Sequence, residues 1–582
     1  MSRELRKLAD KNPSGPRDHA PSAVQLKSYA SAVASLPPSS TIPTPLLSAD
    51  PRSLKEALNR PDADLWVGAA QAELTSHQQQ QTWHLVTLPP GRRLIGSTWN
   101  FTLKRGPNGE VIQYKARLCA QGFTQLQGID YTETFAPVVR LSSVRAVLAL
   151  ANQHGWELHQ MDVSTAYLNG VLTEEIYMRQ PEGFAVKGQE HLVCKLDKSL
   201  YGLKQAGRTW HKCLDGVLQT MGFRPIHADN CIYIYQRSGV VVIIPVYVDD
   251  LLLCSNSLDK LTAFKLELST HFKMHDLGEA RFVLGIEIKR DRTTRTLSIS
   301  QGAYISNILD RFGMSDCRPV ATPIEEGLYL EPATDENKLD SASTIRYQSA
   351  VGALMYAAQA TRPDIAFAVT MLSQFNSKPN ELHWQAVKRV FRYLRGTAQL
   401  GIVYTGTGDL RDQAPLLGYC DSDWAQCRYS SRSVSGYVFL ICGGAISWQS
   451  RKQQSVALST VEAEYISASE AAREATWWRR FFKGIGYTLS SPTTLLSDNQ
   501  GAIALGKNPG HHTRSKHIRI RYHYVREQVG RGIIRHEYVS THAMAADGLT
   551  KPLGRIKHET VIKSLGIRSI NNSSPAGAPK TT

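Results

Sequence analysis

The run VVIIPVYVDDLLLCS (241–255) carries two adjacent aspartates at the centre of an almost wholly apolar segment. Strands of this composition bury their side chains, and a buried carboxylate costs free energy unless it is paired or ligates a metal. Two interpretations of Asp249 and Asp250 are open. Either they form part of a hairpin turn, where Asp is common, or they form part of a metal site.

The length and charge of the chain limit the classes of protein it can belong to. Its 582 residues predict roughly two to four domains, and its net charge of +16 favours a polyanionic partner. No apolar run approaches the roughly 20 residues that span a membrane, and the N-terminus lacks the apolar core of a secretory signal. The nine scattered cysteines argue against a disulfide framework or zinc site and favour an intracellular protein.

Residue patterning predicts an ordered chain from Pro51 onward, after a disordered tail over 1–50 that is rich in Pro and Ser. The elements predicted in the first part are two short helices after Pro51, a hairpin over 95–118, a helix over 142–154, a strand over 156–163, a helix over 206–222, a hairpin over 231–254, a helix over 258–272, a hairpin over 287–300, a linker over 318–341 and helices over 345–395. From 416 onward, the order β-β-β-α-β-α predicts a separate α/β domain.

A third carboxylate, Asp162, ends the strand-like segment WELHQMDV. Strand-borne carboxylates that come together can hold two Mg²⁺ ions about 4 Å apart, the arrangement used for in-line phosphoryl displacement. One ion lowers the pKa of the attacking hydroxyl and the other stabilises the leaving oxygen. Taken alone, an aspartate at a strand end is more often a turn or cap residue.

The C-terminal half carries a second set of acids at the edges of predicted elements. They are Asp421 in GYCDSDWA, Glu464 in STVEAEY, Asp498 in LLSDNQGA and Asp547 in AADGLTKPL. Four acids that converge would again hold two metals, in this case for hydrolysis of a phosphodiester. Taken separately, each is more typical of an ordinary surface acid.

Helical geometry separates two neighbouring glutamates in this half. Ser459-x-x-Glu462 fits a capping box, in which Glu462 folds back on the helix start. Glu464 lies about 200° further around the axis, so the two cannot face one site. Small residues at 468, 471 and 475 continue the face of Glu464 and suit packing on a sheet. We therefore predict Glu464 as the metal ligand and Glu462 as the cap.

These motifs closely resemble those of the Ty1/copia-type retrotransposon polyprotein, from about Pro51 to about Leu553. The segments that carry the polymerase resemblance are YKARLCAQGFTQ, YTETFAPVVR, QMDVSTAYLNG, SLYGLKQAGRTWH, YVDD and FVLGIEI. Those that carry the RNase H resemblance are GYCDSDWA, SGYVFLICGGAISWQSRKQ, STVEAEY, SDNQGAIAL, SKHIRIRYHYVRE and ADGLTKPL.

The resemblance implies a multidomain protein of α+β and α/β class with a defined order of parts. The implied parts are a right-hand reverse transcriptase of fingers, palm and thumb over 51–325, a linker and helical connection over 326–413, an RNase H-like mixed-sheet domain over 414–555 and a C-terminal tail over 556–582. The implied activities are RNA-directed DNA synthesis and cleavage of the RNA strand of an RNA–DNA hybrid.

The resemblance also implies roles for individual residues. Those of the polymerase are Asp162, Asp249 and Asp250 as metal-binding palm carboxylates, Lys115 and Arg117 as grips on the incoming triphosphate, Tyr167 as the steric gate against a ribose 2′-OH, Gln205 against the nascent base pair, and Leu284 and Gly285 in the primer grip. Those of the nuclease are the metal ligands Asp421, Glu464, Asp498 and Asp547. From pattern alone, Lys115 and Arg117 also fit a solvated basic strand, and Tyr167 also fits an ordinary core tyrosine.

The implied cofactors are two Mg²⁺ ions per active site, with Mn²⁺ as a substitute. The implied partners are an RNA template, a DNA or tRNA primer, RNA–DNA hybrid, dNTPs and other retroelement proteins such as integrase and capsid, but no membrane. The implied location is intracellular, in cytoplasmic virus-like particles or the nucleus. The basic run at 511–527 suits contact with phosphates and bases, or equally a solvated helix face.

Two departures from the family pattern leave an alternative open. Gly207 stands where the family usually has Pro, and Pro245 interrupts the strand before YVDD, where a ladder donor is lost. Neither removes a predicted catalytic group. The alternative is an inactive or domesticated copy that only binds nucleic acid. The seven acids argue against it, because binding alone needs none of them.

Overall fold

The computed structural model describes residues 50–105, 111–406 and 416–570, apart from 426, 428 and 508–518. The predicted tail over 1–50 lies outside this part except for Asp50, as do the turn at 106–109 and residues 511–518 of the basic run. No helix in the described ranges combines the length and apolar character needed to cross a bilayer.

The described residues form thirteen α-helices and 22 strands. The helices are α1 (Leu54–Leu58), α2 (Ala63–Gln79), α3 (Leu141–Gln153), α4 (Ala206–Thr220), α5 (Leu258–His271), α6 (Gly302–Arg311), α7 (Ser341–Ala360), α8 (Ala366–Ser373), α9 (Glu381–Gly396), α10 (Thr460–Gly484), α11 (Gln500–Lys507), α12 (Arg519–Gly530) and α13 (Arg555–Ser564). The strands are β1 (Trp83–Val86), β2 (Leu94–Ile95), β3 (Ser97–Arg105), β4 (Val111–Ala120), β5 (Glu157–Val163), β6 (Val171–Met178), β7 (Val193–Lys198), β8 (Arg224–Ile226), β9 (Asp229–Arg237), β10 (Val240–Tyr247), β11 (Asp250–Ser255), β12 (Met274–Glu279), β13 (Phe282–Val283), β14 (Ile286–Asp291), β15 (Thr296–Ser300), β16 (Leu400–Thr405), β17 (Leu417–Ser422), β18 (Val434–Ile441), β19 (Gly444–Lys452), β20 (Thr493–Ser497), β21 (Ile534–Tyr538) and β22 (Ile567–Ser569).

The chain divides into two compact units, of which the first comprises residues 1–136 and 165–214. The predicted hairpin is present as β3 and β4, with Ser97 opposite Ala120. Trp66 of α2 is buried against Phe101 and Tyr114 of this hairpin, with ring centroids 5.4 and 4.7 Å apart. A four-stranded sheet of order β1-β7-β6-β2 completes the unit.

The second unit, residues 137–164 and 215–582, contains a six-stranded sheet of order β12-β5-β11-β10-β9-β8. The single hairpin predicted over 231–254 is wrong, because β9, β10 and β11 form two consecutive hairpins. Ser238 and Gly239 form the additional turn, with positive φ angles of 51° and 79°. Two successive positive φ angles match the twist of a tight two-residue hairpin. The turn had a signal in the sequence, because the polar run from Gln236 to Gly239 interrupts the apolar pattern and contains a Ser-Gly dipeptide.

Pro245 lies within β10, an interior strand of this sheet. It is buried and stands opposite Ile232 of β9. On the β11 side, the paired residues pass from Ile243 to Val246 with the register unchanged. Proline therefore interrupts the ladder locally, as the missing N–H predicts, without moving the turn that follows.

Two further five-stranded sheets belong to the second unit. One has the order β13-β14-β15-β16-β22. The other has the order β19-β18-β17-β20-β21, in which β17, β20 and β21 run parallel and β17, β18 and β19 run antiparallel. Ala468, Ala471 and Ala475 of α10 are fully buried. These small side chains let the helix pack closely, as their spacing predicts.

The chain remains ordered into the range predicted as a C-terminal tail. That prediction, 556–582, is wrong over its first part, because α13 and β22 occupy it. Val561, Leu565 and Ile567 are buried in the core. The strand β22 pairs with β16, with Ile567 opposite Ile402. Residues 571–582 lie outside the described residues.

The second unit joins segments that sequence patterning assigned to different domains. Arg145 of α3 is 4% exposed and donates through Nε to the carbonyl of Ile446 in β19, at 2.7 Å. Its Nη1 donates to the carbonyls of Gln359 and Ala360 at the end of α7, each at 2.8 Å. Burial lowers the pKa of Arg145 to about 10. A buried cation thus holds three chain segments together through their carbonyl groups.

We predict that Arg145→Met lowers the free energy of unfolding of the second unit by on the order of 3 kcal/mol, because three buried carbonyls lose their donor. The measurement is the midpoint of urea unfolding. The matched control is Arg237→Met, the same substitution at an exposed position, which should leave the midpoint nearly unchanged. Equal midpoints for both variants would contradict the bridging role.

Candidate active sites

The first group of acids lies at one end of the six-stranded sheet. Asp250, the first residue of β11, stands directly opposite Asp162 of β5. Asp249 lies in the turn between β10 and β11, where its carbonyl accepts a hydrogen bond from the N–H of Val163 at 2.9 Å. The turn and the carboxylate group therefore coexist, and neighbouring buried strands hold Asp162 and Asp250 side by side.

The carboxylates of this group interact electrostatically. Burial, together with the charges of Asp249 and Asp162, raises the pKa of Asp250 to about 6, against a hydrogen bond from Gln160 that lowers it. That bond runs from Gln160 Nε2 to Asp250 Oδ1 at 3.2 Å. Gln160 was missed by sequence reasoning, although its place two residues before Asp162 puts both on one face of β5. A cation would relieve this repulsion, and oxygen donors suit Mg²⁺.

In the first unit, Arg117 and Tyr167 lie on either side of a third residue, Tyr201. The Arg117 guanidinium lies 5.0 Å from the centroid of the Tyr201 ring. Tyr201 makes an edge contact with Tyr167, with centroids 4.7 Å apart. Tyr201 was missed as a site residue, and its position in the family segment SLYGLKQ was the available signal. Lys115 is half-buried on the same strand as Arg117, opposite Thr102.

Gln205 is 2% exposed, and both ends of its amide are bonded within the first unit. Its Nε2 donates to the carbonyl of Asp130 at 2.9 Å, and its Oε1 accepts from Gln125 Nε2 at 3.2 Å. This placement favours a role in holding the loop that contains Gln125 and Asp130, rather than direct contact with a base pair. The pattern of the sequence could not show it, since the partners lie far from Gln205 in the chain.

Leu284 and Gly285 form the turn between β13 and β14. Their φ angles are 54° and 70°. The hydroxyl of Tyr356 donates to the carbonyl of Leu284. A Cβ at position 285 would lie 3.0 Å from that hydroxyl oxygen. The positive φ and the close approach of Tyr356 together explain a glycine here.

The acids of the second group, in the C-terminal half of the chain, lie closer together. Asp421, Glu464 and Asp498 each offer a carboxylate oxygen within 4.8 Å of the others, and no other such triad occurs among the described residues. Asp421 lies in β17 and Asp498 follows β20. These strands are parallel neighbours whose register pairs Tyr419 with Leu496. Continuing that register by two residues brings Asp421 level with Asp498.

Glu464 joins the triad from α10, and Glu462 points elsewhere. The N–H of Glu462 donates to Ser459 Oγ at 3.2 Å, and Glu462 Oε2 accepts from the N–H of Leu458 at 2.9 Å. Ser459 caps the helix as predicted, and Glu462 folds back on the helix start, but its carboxylate bonds the N–H of Leu458, one residue before the N-cap that a capping box would use. Glu464 Oε2 is buried without a hydrogen-bond partner. An orphaned buried carboxylate oxygen beside two other carboxylates is the environment that a hard divalent cation fits.

Burial and mutual repulsion strongly perturb this triad. Burial raises the pKa of Glu464 to about 9, and the charges of Asp421 and Asp498 contribute to the rise. Burial also raises the pKa of Asp421 to about 7, against the lowering effect of Lys551. The fold therefore keeps acids together at a cost in free energy that a bound cation would offset.

Asp547, the fourth predicted ligand, lies beside the triad but faces two ammonium groups. Its Oδ1 lies 2.6 Å from Lys551 Nζ, and its Oδ2 lies 2.9 Å from Lys557 Nζ. Lys551 Nζ also lies 3.5 Å from Asp421 Oδ2. Both lysines were missed by sequence reasoning. The spacing of four residues between Asp547 and Lys551 was the only available signal, and it is common on protein surfaces.

Comparison with known proteins places the chain in a family. Residues 80–326 match the family model described as reverse transcriptase (RNA-dependent DNA polymerase), so the chain contains a reverse transcriptase domain. A putative transposon Ty5-1 protein of Saccharomyces cerevisiae is 33% identical over 315 residues, which are 54% of this chain and the full length of that protein. The chain belongs to the retrovirus-related Pol polyproteins of Ty1/copia-type transposons.

Longer relatives match nearly the whole described chain. The Pol polyprotein from transposon TNT 1-94 of Nicotiana tabacum is 43% identical over 525 residues, 89% of this chain and 39% of that protein. The one from transposon RE1 of Arabidopsis thaliana is 39% identical over 522 residues, 90% of this chain and 35% of that protein. The chain therefore spans less than two fifths of the length of these curated relatives. The predicted family resemblance is confirmed.

We predict that the metal-free protein loses stability as pH rises from about 5 to about 9. Since the pKa of Glu464 is raised to about 9 and that of Asp421 to about 7, the folded state holds protons that the unfolded state releases above its ordinary pKa near 4. The measurement is the unfolding temperature in EDTA across this pH range.

The variant that tests the cause is Glu464→Gln, which should flatten the pH dependence and raise the unfolding temperature at pH 8 by at least about 2 °C. Glu462→Gln, on the same helix, is the control and should keep the wild-type slope while lowering stability at all pH values. Identical slopes for wild type and Glu464→Gln would refute the electrostatic interpretation.

Proposed function

We propose that this chain is an RNA-directed DNA polymerase with a ribonuclease H site, working as part of a retrotransposon Pol protein. The observation that carries the polymerase assignment is the placement of Asp162 opposite Asp250, with Asp249 in the adjoining turn. The family match over 80–326 supports it. The substrates would be an RNA template, a DNA or tRNA primer and dNTPs.

In this proposal, Asp162, Asp249 and Asp250 would hold two Mg²⁺ ions, with Mn²⁺ as a substitute. Bound divalent ions supply activation of a hydroxyl and stabilisation of charge on the phosphoryl oxygens. The chain supplies rigidity, because Asp162 and Asp250 lie on paired strands and Gln160 orients Asp250 through its amide. The raised pKa of Asp250 is consistent with a carboxylate prepared for a cation.

The first unit would supply the nucleotide-binding residues. Arg117 suits a triphosphate because its guanidinium binds phosphate oxygens in pairs, and Tyr201 holds it by stacking. Tyr167, braced by the same ring, would exclude a ribose 2′-OH by its bulk. Lys115 would add a second positive charge on the same strand. In right-hand terms, this unit would contain the fingers and the six-stranded sheet would be the palm.

The C-terminal mixed sheet would form the ribonuclease H domain. Asp421, Glu464 and Asp498 offer oxygen ligands only, and Glu464 Oε2 is an acceptor with no protein donor. Such a site suits Mg²⁺ or Mn²⁺ and hydrolysis of a phosphodiester. The substrate would be the RNA strand of an RNA–DNA hybrid, recognised through its shape and 2′-hydroxyls. Remaining parts of a Pol protein, such as integrase, and capsid would be partners inside the cell.

The polymerase proposal predicts that Asp249→Asn abolishes primer extension on an RNA template with dNTPs and Mg²⁺. Loss of one carboxylate removes charge from the place where the metals would bind, and should lower the rate by at least about 100-fold. Asp259→Asn, at an exposed acid in the first turn of α5, is the matched control and should extend normally. Equal, near-zero extension by wild type and Asp249→Asn would instead support a nucleic-acid-binding copy without polymerase activity.

The nuclease proposal predicts that Glu464→Gln stops cleavage of RNA in a labelled RNA–DNA hybrid, whereas Glu462→Gln cleaves at nearly the wild-type rate. The reason is that Glu464 faces the triad and Glu462 only caps the helix. The assay is run below the unfolding temperature of both variants. The reversed result would overturn the assignment of the two glutamates.

A further inference from the structure

The ammonium group of Lys551 lies between two acids of the nuclease site. Its Nζ lies 2.6 Å from Asp547 Oδ1 and 3.5 Å from Asp421 Oδ2. Asp547 is 1% exposed, and its second oxygen is paired with Lys557 at 2.9 Å. Both oxygens of Asp547 are therefore engaged by cations that belong to the chain itself.

Asp421 lies beside the other two acids of the triad and also beside the side chains of Thr550 and Lys551. One of its oxygens takes part in the triad with Glu464 and Asp498. Its Oδ2 accepts a hydrogen bond from the hydroxyl of Thr550 and faces Lys551. Asp421 Oδ2 and Asp547 Oδ1, the oxygens with which these two acids could bind a further ion between them, both border the Lys551 ammonium group.

The net charge of the nuclease site matches the charge of a single divalent ion. Four carboxylates, Asp421, Glu464, Asp498 and Asp547, face the two ammonium groups of Lys551 and Lys557. When all four carboxylates are ionised, as they would be around a bound cation, two negative charges remain, which one divalent cation neutralises. A second divalent ion would leave the buried cluster with excess positive charge, which is costly in a desolvated site.

We propose that Lys551 supplies the second positive charge of the nuclease site, so that Asp421, Glu464 and Asp498 hold one divalent ion while Asp547 holds the lysine. This inference deepens the proposed nuclease function and rests on it. Lys551 acts here as a charge-compensating residue that fixes the number of ions. Asp547 acts as its anchor, rather than as a ligand of a second metal.

The test measures how many Mn²⁺ ions the protein binds in the absence of nucleic acid. Bound ions are counted from the loss of the electron paramagnetic resonance signal of free Mn²⁺. The full chain carries Asp162→Asn and Asp249→Asn, so that the polymerase acids do not contribute. This background should bind one ion, and adding Glu464→Gln should remove it. Adding Lys551→Met should raise the number to two, whereas Lys551→Arg, which keeps the charge, should leave it at one. Two ions in the background, or one ion in folded Lys551→Met, would overturn the proposal.

A second measurement needs no substitution, in case Lys551→Met does not fold. Acetic anhydride labels exposed amines, and mass spectrometry reads each lysine. Saturating Mg²⁺ should leave labelling of Lys551 unchanged or slower, relative to the exposed Lys563. Labelling that becomes roughly tenfold faster with Mg²⁺ would mean that a second ion displaces the lysine, and would refute the proposal.

The experiments distinguish failure of the proposed ion count from failure of the proposed nuclease function. A chain that cuts hybrid but binds two ions refutes the role of Lys551 alone. A chain that binds one ion but does not cut hybrid refutes the nuclease assignment alone. Lys551→Arg should also keep its hybrid cleavage within about tenfold of wild type, and a larger loss at an unchanged ion count would point to a role for Lys551 other than charge.

Discussion

Repulsion between neighbouring carboxylates is the physical constraint on which the arrangement of both groups of acids depends. Acids brought together out of water repel one another unless a cation joins them, so only a rigid frame keeps them in place. Both groups of acids rely on strand pairing for that frame. Asp162 and Asp250 share a rung of an antiparallel ladder, and Asp421 and Asp498 follow the register of parallel neighbours. In each case, one additional side chain reduces the repulsion: Gln160 donates a hydrogen bond to Asp250, and Lys551 places a positive charge beside Asp421.

Much of the fold followed from local patterns, because those patterns act over short distances. The helical period separated Glu462 from Glu464, and alternation placed Asp162 at a strand end. What could not be predicted depends on partners far away in the chain. Gln205 is buried by a loop near Asp130, and β22 is a strand only because β16 offers it an edge. The extra hairpin at Ser238 is different, because the polar residues Gln236 and Arg237 and the Ser-Gly dipeptide were a local turn signal that the sequence prediction passed over.

The sequence motifs predicted which acids belong to the second group. They did not predict that one of these acids would pair with lysines instead of joining the triad. Four acids of one motif set were expected to act alike, yet Asp547 differs from the other three in facing Lys551 and Lys557. Lysine at a spacing of four from an acid is so common that it carries little information alone. Only the burial of Asp547 makes the pair informative, and burial is a property of the assembled sheet and helices.

The position of the edge strand β22 has a consequence for truncated forms of the chain. Because Ile567 and its neighbours close a sheet whose other strands come from residues 282–405, the second unit cannot finish folding until translation has passed them. That unit holds the acids of both groups. Truncation anywhere upstream of residue 567 would therefore disturb the frame that holds both groups of acids, rather than the second group alone.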